Sequence, residues 1–274
     1  MSADALHGLA AWLRGGYGRP HEHHAELGST NDRALEWLRE GAPHGAVVTA
    51  EAQTAGRGRR GRQWFSPGGQ NLYASLVLRP GPVRPLERLG ALGLAVGVGL
   101  REGLPPLRQP VRLKWPNDLR VDGRKLGGIL CESRWVGDVP EVVVGFGINV
   151  HAEAFPEPLA GVATSVAEHS EGAAPGRAEL LAALLVALER AIEPFLRAGF
   201  GAVRERYVPW CETLGRTVEV GDAAAPEGAR RGEAERLDED GALWVRPHDG
   251  GPEFRVDSSD VWLCPRPQVA GEVG

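Results

Sequence analysis

Two short segments of the chain concentrate residues that suit binding and activation of an anion. The first is GRGRRGR, residues 56–62, in which four arginines alternate with three glycines. Glycine allows successive backbone N–H groups to point at one anion, and arginine adds charge-assisted hydrogen bonds. The segment therefore predicts a loop that orders over a phosphate or carboxylate. An Arg-Gly segment that binds nucleic acid loosely has the same composition and stays an alternative.

The second segment, KWPND followed by GRKLGG, contains the only two lysines of the chain, Lys114 and Lys125, among 31 lysines and arginines. Because arginine serves nearly everywhere else, we expect a compact ammonium to be needed here that a planar guanidinium does not replace. Two lysines beside Asp118 would suit a polyphosphate with its Mg²⁺, which takes one or two carboxylates plus substrate phosphates. Asn117 and Asp118 are equally typical of a plain turn.

A third candidate is GFGIN, residues 145–149, where glycines flank Phe146 at the end of an apolar run and Asn149 follows. Gly127 and Gly128 lie inside another predicted strand. Glycine inside a strand indicates close approach of a ligand or of another backbone. These positions predict a ligand crevice at strand ends, with a simple turn asparagine as the alternative.

Composition and missing motifs exclude several classes of protein. The chain has 274 residues, 42% of them hydrophobic, and a net charge of -5, which is typical of a globular protein and disfavours wholesale nucleic-acid binding. No apolar run approaches the roughly 20 residues that span a bilayer. The P-loop motif is absent, and three distant cysteines suggest neither disulfides nor a zinc site. We expect a reduced, cytoplasmic protein that binds no membrane.

Predicted elements place the arginine-glycine loop on an ordered scaffold, because it lies between two predicted core strands. A helix Ala3–Arg14 and an exposed histidine-rich connector are expected before it. The other predicted elements are a helix that begins at Ser29 or Thr30 and ends at Gly41, strands Ala46–Glu51 and Asn71–Leu78, a helix Leu86–Gly103, strands through the two lysine motifs, a buried strand over 141–150, and helices Ala178–Ala198 and Phe200–Glu212.

The pattern changes after Leu214, where short alternating runs are separated by Gly, Pro and Asp. Such runs are typical of a small β-barrel or sandwich of about 50 residues. We therefore divide the chain into an N-terminal lead (1–28), a catalytic domain (29–214), a small β domain (215–265) and a tail (266–274).

Taken together, STN at 29–31, EAQTAGRGRRGRQW, KWPND, KLGGIL and GFGIN resemble the biotin protein ligases, in that order and spacing. The resemblance covers about residues 28–265. It implies an α/β (α+β) fold, in which a mixed-sheet catalytic domain similar to that of class II aminoacyl-tRNA synthetases is followed by an SH3-like β-barrel.

The resemblance also implies a two-step reaction. The carboxylate of biotin attacks the α-phosphate of ATP, with Mg²⁺ as cofactor, to give biotinyl-5′-AMP and pyrophosphate. A lysine of a biotin carboxyl carrier protein or domain then takes the biotin and releases AMP. Because the intermediate is prone to hydrolysis, a closing loop has a chemical purpose.

Roles for individual residues come from the same resemblance, motif by motif. Catalytic roles fall to Lys125, Arg59 and Asp118, and Mg²⁺ to Asp118. Biotin contacts fall to Ser29, Thr30, Asn31, Gln53, Gly56, Arg57, Gly58, Arg59 and Lys125. Contacts to ATP or the adenylate fall to Arg57, Arg59, Arg60, Trp64, Asn117, Asp118, Lys125 and Asn149, with Lys114 and Asn149 also interpreted as supporting residues.

Two alternatives remain at this point. A lipoate or octanoate ligase would run the same chemistry, although its Arg-Arg and Ser-Gly-Gly-Gly loop is absent here. An Arg-Gly nucleic-acid-binding protein is the alternative from another class. Only 28 residues precede Ser29, fewer than the roughly 50 of a domain, so we expect the monofunctional type, without an N-terminal DNA-binding domain or specific DNA binding. Family members occur as monomers and homodimers, and both states stay open.

Overall fold

The computed structural model describes residues 4–81, 86–222, 225–257 and 260–264. The strands are β1 His21–Leu27, β2 Val47–Gln53, β3 Leu72–Leu78, β4 Arg112–Lys114, β5 Asp118–Val121, β6 Arg124–Val136, β7 Val139–Ile148, β8 Thr217–Asp222, β9 Ala225–Leu237, β10 Leu243–Pro247, β11 Phe254–Val256 and β12 Asp260–Leu263. The helices are α1 Thr30–Arg39, α2 Leu92–Gly103, α3 Val166–His169, α4 Arg177–Ala198 and α5 Arg204–Tyr207, with short 3-10 turns between some of them.

The first seven strands form one mixed sheet in the order β1-β2-β3-β7-β6-β5-β4. Only β1 and β2 run parallel, and every other neighbouring pair is antiparallel. Alternate residues of β7 face opposite sides of the sheet, as the pleat requires. Val142, Val144 and Phe146 enter the large core beneath α2 and α4, whereas Val143 packs in a smaller core under α1. The prediction of a mixed α/β fold is confirmed.

Helix α1 covers only part of the second face of this sheet. Its buried residues Ala34 and Leu38 pack with Val48, Val77 and Val143 of the strands below. The first turn of α1 therefore lies beside β6 and the glycine end of β7. A crevice forms at this boundary, between the start of α1, these two strands and the arginine-glycine loop.

The N-terminal lead differs from its prediction. The expected histidine-rich connector is wrong, because His21–Leu27 forms β1 and pairs along β2 as an edge strand of the main sheet. His21 and His23 each lie within hydrogen-bonding distance of the buried Thr49 hydroxyl, at 2.8 and 2.9 Å, which holds the strand in place. The expected helix Ala3–Arg14 is a 3-10 turn, Leu6–Ala11.

The long helices of the core follow the sequence prediction, whereas two expected helices are shorter. Residues 86–91 form a 3-10 turn before α2. The expected helix Phe200–Glu212 is broken into a 3-10 turn, α5, and a second turn that contains Pro209. Proline removes a backbone donor and opposes continuation of a helix. Within the described ranges, no helix is long and apolar enough to span a bilayer.

The last five strands form a separate antiparallel sheet, in the order β11-β10-β9-β8-β12. In the part of the chain that the structure describes, β11 and β12 are the two ends of this sheet and do not pair with each other, so the expected barrel is not closed by strand pairing. The predicted tail, 266–274, lies outside the described residues.

The second sheet is fastened directly to the first through Trp115, which is 1% exposed. Its backbone N–H donates to Thr213 Oγ1 at 2.9 Å, and its indole Nε1 donates to the Gly241 carbonyl at 3.0 Å. An ion pair between Arg120 and Glu212, at 2.8 Å, adds a polar contact near the same junction. The chain therefore holds the C-terminal sheet against the strands that carry the lysine motifs.

Candidate active site

A cavity of about 190 Å³ opens where α1, β6, β7 and the arginine-glycine loop meet. Lys114, interpreted as a supporting residue, lines it, and so do eleven of the residues assigned a binding or catalytic role. They are Ser29, Thr30, Asn31, Gln53, Arg57, Gly58, Arg59, Trp64, Asn117, Asp118 and Lys125.

One wall of this cavity is a hydrogen-bonded relay at the start of α1. The backbone N–H and the hydroxyl of Thr30 both donate to Gln53 Oε1, at 2.9 and 3.1 Å. Gln53 Nε2 in turn donates to Ser66 Oγ at 3.0 Å. Since Gln53 ends β2 and Thr30 begins α1, the relay fixes the amide plane of Gln53 at the cavity wall and leaves one amide hydrogen for a ligand.

Asn31 is 4% exposed, and its side chain is held on three sides. Its Nδ2 donates to Glu132 Oε2 at 2.6 Å and to the Leu130 carbonyl at 3.3 Å, while its Oδ1 accepts from the Ser75 hydroxyl at 2.6 Å. Both amide hydrogens are therefore already used by the protein. Asn31 shapes the floor of the cavity rather than offering a free donor to a ligand.

Glycines make room for these side chains on the sheet. A Cβ atom at Gly145 would lie 2.1 Å from Asn31 Oδ1, and one at Gly147 would lie 2.6 Å from the Trp64 indole. Neither neighbour gives way freely, because Asn31 is fixed and Trp64 is packed between the loop and the sheet. Gly145 and Gly147 are thus required for close packing of side chains above the strand.

The arginine-glycine loop folds as a tight hairpin over the cavity. Arg57 and Gln63 face each other as an antiparallel bridge, and the Gly58 N–H donates to the Arg62 carbonyl at 2.7 Å. Residues 59–61 form the turn at its tip, where Arg60 adopts a left-handed φ of 55°. The loop therefore forms a cover with a defined hairpin shape.

Arg57 ties this cover to the rest of the site through two carboxylates. Its Nη1 donates to Asp32 Oδ2 at 2.7 Å, and its Nη2 lies 3.3 Å from each oxygen of Glu132. The hydrogen bond with Asp32, with a further contribution from Glu132, raises the pKa of Arg57 above its ordinary value. The guanidinium stays charged and closes the mouth of the cavity from α1 to β6.

Lys125 lies at the other end of the cavity. Its Nζ forms an ion pair with Asp118 Oδ1 at 2.7 Å and lies 5.3 Å from the centre of the Trp64 ring. The Lys125 backbone is fixed on both sides, because its N–H donates to the Val162 carbonyl and its carbonyl accepts from the Thr164 N–H. The ammonium is thus presented to the cavity from a rigid strand.

A second, more open cavity of about 730 Å³ adjoins the first. Its outer wall is an apolar segment that includes Phe155, Pro156 and Leu159. Burial lowers the pKa of Lys114, which lies at the junction. Six residues line both cavities, so the two share one polar junction. They are Gln63, Trp64, Lys114, Asp118, Lys125 and Trp262.

Three residues assigned from the motifs do not line the first cavity. Gly56 lies behind the loop, where a Cβ atom would be 2.7 Å from Ser66 Oγ. Arg60 is exposed at the loop tip and is absent from the lining of both cavities. Asn149 lines the second cavity, and its amide donates to the Thr164 carbonyl at 3.0 Å, beside the segment that fixes Lys125.

Four further residues at the site received no role from the sequence. Arg62 and Gln63 line the first cavity from the second arm of the hairpin. The alternation of glycine and arginine along the loop is the sequence signal that could have indicated this. Glu132 bonds both Asn31 and Arg57. Trp262 belongs to the C-terminal sheet. It lies so far along the chain from the other site residues that no local sequence motif connects it with them.

Within the ranges that the structure describes, no group of three or more His, Cys, Asp or Glu side chains could hold a metal by itself. Asp118, the residue predicted to bind Mg²⁺, is a single carboxylate paired with Lys125. Such a site fits Mg²⁺ only together with substrate phosphates and water, which is the usual way in which proteins bind this ion.

The site therefore consists of two adjoining cavities with a shared cationic junction, a hairpin over the smaller one and a mixed sheet beneath them. Residues 25–149 match the biotin/lipoate A/B protein ligase family. The bifunctional ligase/repressor BirA of Bacillus subtilis is 32% identical over 245 residues, which cover 88% of this chain and 73% of that protein. The chain belongs to the biotin/lipoate A/B protein ligase family.

Two further relatives share most of their length with the chain. The biotin–[acetyl-CoA-carboxylase] ligase of Paracoccus denitrificans is 36% identical, over 87% of this chain and 98% of the relative. Among solved structures, the biotin protein ligase of Aquifex aeolicus in complex with biotin and ATP superimposes with a TM-score of 0.72 at 29% identity, over 90% of this chain and 99% of that chain.

Proposed function

We propose that the protein is a biotin–[biotin carboxyl carrier protein] ligase, which activates biotin with ATP and transfers it to a lysine of a carrier protein. The main support is that the two cavities meet at Lys125 and Asp118. One cavity is small and closed by the hairpin, as suits a compact acid. The other is larger, apolar on one wall and open, as suits a nucleotide.

The biotin carboxylate and the ATP phosphates repel each other electrostatically, so such a site must neutralise their charge. Lys125 and Lys114 place two cations at the junction, and Arg57, Arg59 and Arg62 surround the smaller cavity. Cations preorganised where negative charge develops stabilise the transition state more than they would in water. Lys125 is assigned to the carboxylate and the α-phosphate, because it lies between both cavities on a fixed backbone.

The chemistry needs no nucleophile from the protein. A carboxylate oxygen of biotin forms a bond to the α-phosphorus, the bond to the bridging oxygen breaks, and pyrophosphate leaves with its electrons. In the second step the neutral amine of the acceptor lysine attacks the acyl carbon, AMP leaves with the bonding electrons, and the amine proton is released. The protein's part is to hold both reactants in line and to neutralise charge.

We place Mg²⁺ at Asp118, together with the phosphates of ATP. When bound, the ion would neutralise charge on the leaving pyrophosphate. Asp118 lies at the junction of the two cavities, where it pairs with Lys125 at 2.7 Å. Asn117 supports the position of Asp118, since its side-chain amide donates to the Ile129 carbonyl at 2.9 Å.

The hairpin protects the intermediate from water. Arg57 already bridges Asp32 on α1 and Glu132 on β6 across the mouth of the smaller cavity. A mixed anhydride held beneath this bridge meets the acceptor lysine only through the junction. We also propose a cytoplasmic location, since the three cysteines are far apart in the sequence and suggest no disulfide framework.

The direct test is transfer to a carrier domain. Purified protein, ATP, Mg²⁺ and a biotin carboxyl carrier domain are incubated with biotin, lipoate or octanoate in turn, and the acceptor lysine is identified by mass spectrometry. We expect one biotinylated lysine and no transfer of lipoate or octanoate. Lipoylation without biotinylation would make the protein a ligase for the other acid of its family.

A further inference from the structure

Glu132 on β6 is bonded to both the floor and the cover of the smaller cavity. Its Oε2 accepts from Asn31 Nδ2 at 2.6 Å, and both of its oxygens lie 3.3 Å from Arg57 Nη2. The side chain is 31% exposed, so it lies at the rim and not inside the cavity. It therefore reaches the site only through the residues that it holds.

On the floor side, Glu132 decides how the Asn31 amide is turned. The carboxylate only accepts hydrogen bonds, so it draws Nδ2 toward β6 and leaves Oδ1 to accept from Ser75. Ser75 Oγ also lies 2.8 Å from the hydroxyl of Thr30, which bonds Gln53. The orientation of Asn31 is in this way connected to the polar wall of the cavity.

On the cover side, Glu132 is one of two carboxylates that hold Arg57. Asp32 belongs to α1 and Glu132 belongs to β6, so the guanidinium bridges the two walls of the cavity. A single exposed ion pair contributes little, whereas several charges in one network contribute measurably. Loss of Glu132 leaves Arg57 bonded to Asp32 of α1 but no longer to β6.

We propose that Glu132 is a positioning residue for biotin binding, which couples closure of the hairpin through Arg57 to the orientation of Asn31. This role rests on the proposed function, in which the smaller cavity holds biotin. Glu132 touches neither reactant, so it acts on the biotin half of the site and leaves the nucleotide half unaffected.

The test uses Glu132→Gln, which keeps the shape of the side chain but replaces one acceptor oxygen by an amide and removes the charge. We expect the Kd for biotin and the dissociation rate of biotinyl-AMP to rise about fivefold, because the variant loses the ion pair between Glu132 and Arg57 at the rim of the cavity. KM for ATP should stay at the wild-type value. Glu36→Gln is the matched control, because Glu36 is on α1, is 60% exposed and lies 3.7 Å from Arg33.

A double-mutant cycle with Arg57→Ala distinguishes positioning from general destabilisation. The two substitutions are expected to be non-additive in the Kd for biotin, because each removes the same link. Unchanged biotin affinity in Glu132→Gln, additive effects, or an equal rise in KM for ATP and for biotin would overturn the proposal.

Trypsin cleavage of the hairpin provides a readout that needs no ligand, since the loop contains four arginines. We expect faster cleavage within residues 56–62 in Glu132→Gln than in the wild type or in Glu36→Gln. Equal cleavage rates would refute the coupling. A wild-type protein that binds no biotin, combined with faster cleavage in the variant, would refute the proposed function and retain the role of Glu132 in holding the hairpin.

Discussion

Lys125 combines a fixed backbone with a side chain at the junction of two cavities. Its ammonium pairs with Asp118 and lies near the Trp64 ring, and Gly128 lies beneath it. A planar guanidinium has a different shape and directs its donors differently. We therefore expect the position to need lysine for its shape as well as for its charge.

Lys125→Arg is accordingly expected to lower the rate of adenylate formation by on the order of tenfold to 100-fold, although the charge is kept. The measurement is biotin-dependent pyrophosphate exchange on folded protein. Arg124→Lys is the matched control, because the neighbouring Arg124 pairs with Glu168 and is expected to tolerate the exchange. Wild-type exchange in Lys125→Arg would remove Lys125 from the reaction.

The sequence predicted individual site residues where a residue type was rare or where a motif occupied a few consecutive positions. Two lysines among many arginines pointed to the junction, and paired glycines pointed to the crowded floor. Glu132 and Trp262 do not stand out in the sequence. Glutamate is common in the chain, and a tryptophan in a strand is usually a core residue. Their roles come from register and packing, which only the folded chain provides.

The hairpin is the element that separates the smaller cavity from solvent. Arg59 lines that cavity, whereas the adjacent Arg60 is exposed at the tip. Its ladder, Arg57 opposite Gln63, is short and is reinforced by the bridge of Arg57 to two carboxylates. We expect loss of a cation from the hairpin to weaken its hold on a bound anion.

Arg59→Gly is expected to release biotinyl-AMP early, because the variant loses a cation beside the adenylate and gains backbone freedom in the cover. The sign is increased biotinylation of bystander lysines, measured by blotting a mixture with an unrelated lysine-rich protein. Arg108→Gly, in an exposed loop, serves as the control. Bystander labelling at the wild-type level in Arg59→Gly would show that another residue retains the intermediate.

Strand β1 makes a second prediction, which concerns stability. Burial lowers the pKa of His21 from 6.5 to about 4, with a smaller contribution from repulsion by His23. Between pH 6.5 and about pH 4, His21 is protonated in the unfolded chain but neutral in the folded protein. The free energy of unfolding is therefore unaffected by titration of His21 above pH 6.5 and decreases as the pH falls toward 4.

The free energy of unfolding should therefore fall more between pH 7 and pH 5 in the wild type than in His21→Gln, which keeps a hydrogen-bonding group but does not titrate. Chemical denaturation at both pH values measures the difference, with His248→Gln on the exposed surface as the control. Equal losses in wild type and His21→Gln would show that His21 does not contribute to acid sensitivity.

Elements with strong hydrophobic periodicity followed the sequence prediction, and the N-terminal lead did not. The apolar runs of β3 and β7 are buried whichever neighbours they take, so the pattern alone predicts them. HEHHAEL looked like an exposed connector because its histidines are polar. It became β1 because the Thr49 hydroxyl and Glu51 supply partners for those imidazoles, which sequence order cannot reveal.

At the scale of the whole molecule, the C-terminal sheet contributes to the site. Val261 and Trp262 line the smaller cavity, and Trp262 and Leu263 line the larger one. Trp115 fixes this sheet to the lysine strands through Thr213 and Gly241. The C-terminal sheet therefore forms part of the wall of the candidate active site.

Trp262→Ala is expected to slow pyrophosphate exchange about tenfold and to raise KM for ATP more than KM for biotin, because the larger cavity loses an apolar wall. Trp244→Ala is the matched control, since Trp244 lies in the same sheet and bonds Asp238. Deletion of residues 216–274 should abolish exchange as well as transfer. Normal exchange in a folded fragment 1–215 would make the sheet a docking module for the acceptor alone.

Net charge and contacts also decide between the two early interpretations of the arginine-glycine loop. The chain carries a net charge of -5, and Arg57 is bonded to Asp32 and Glu132. An extended nucleic-acid-binding segment would not fold into a hairpin over a cavity, as this loop does. Arg59 and Arg62 line that cavity and Arg57 bridges its walls, so these contacts favour a small anion over nucleic acid, although Arg60 is exposed.

Activation of biotin with ATP in the two adjoining cavities is measured most directly by biotin-dependent exchange of labelled pyrophosphate into ATP. We expect exchange that requires both biotin and Mg²⁺, saturates with biotin and falls sharply in Lys125→Arg. Exchange supported equally by lipoate, or ATP turnover that is indifferent to biotin, would refute biotin activation at this site.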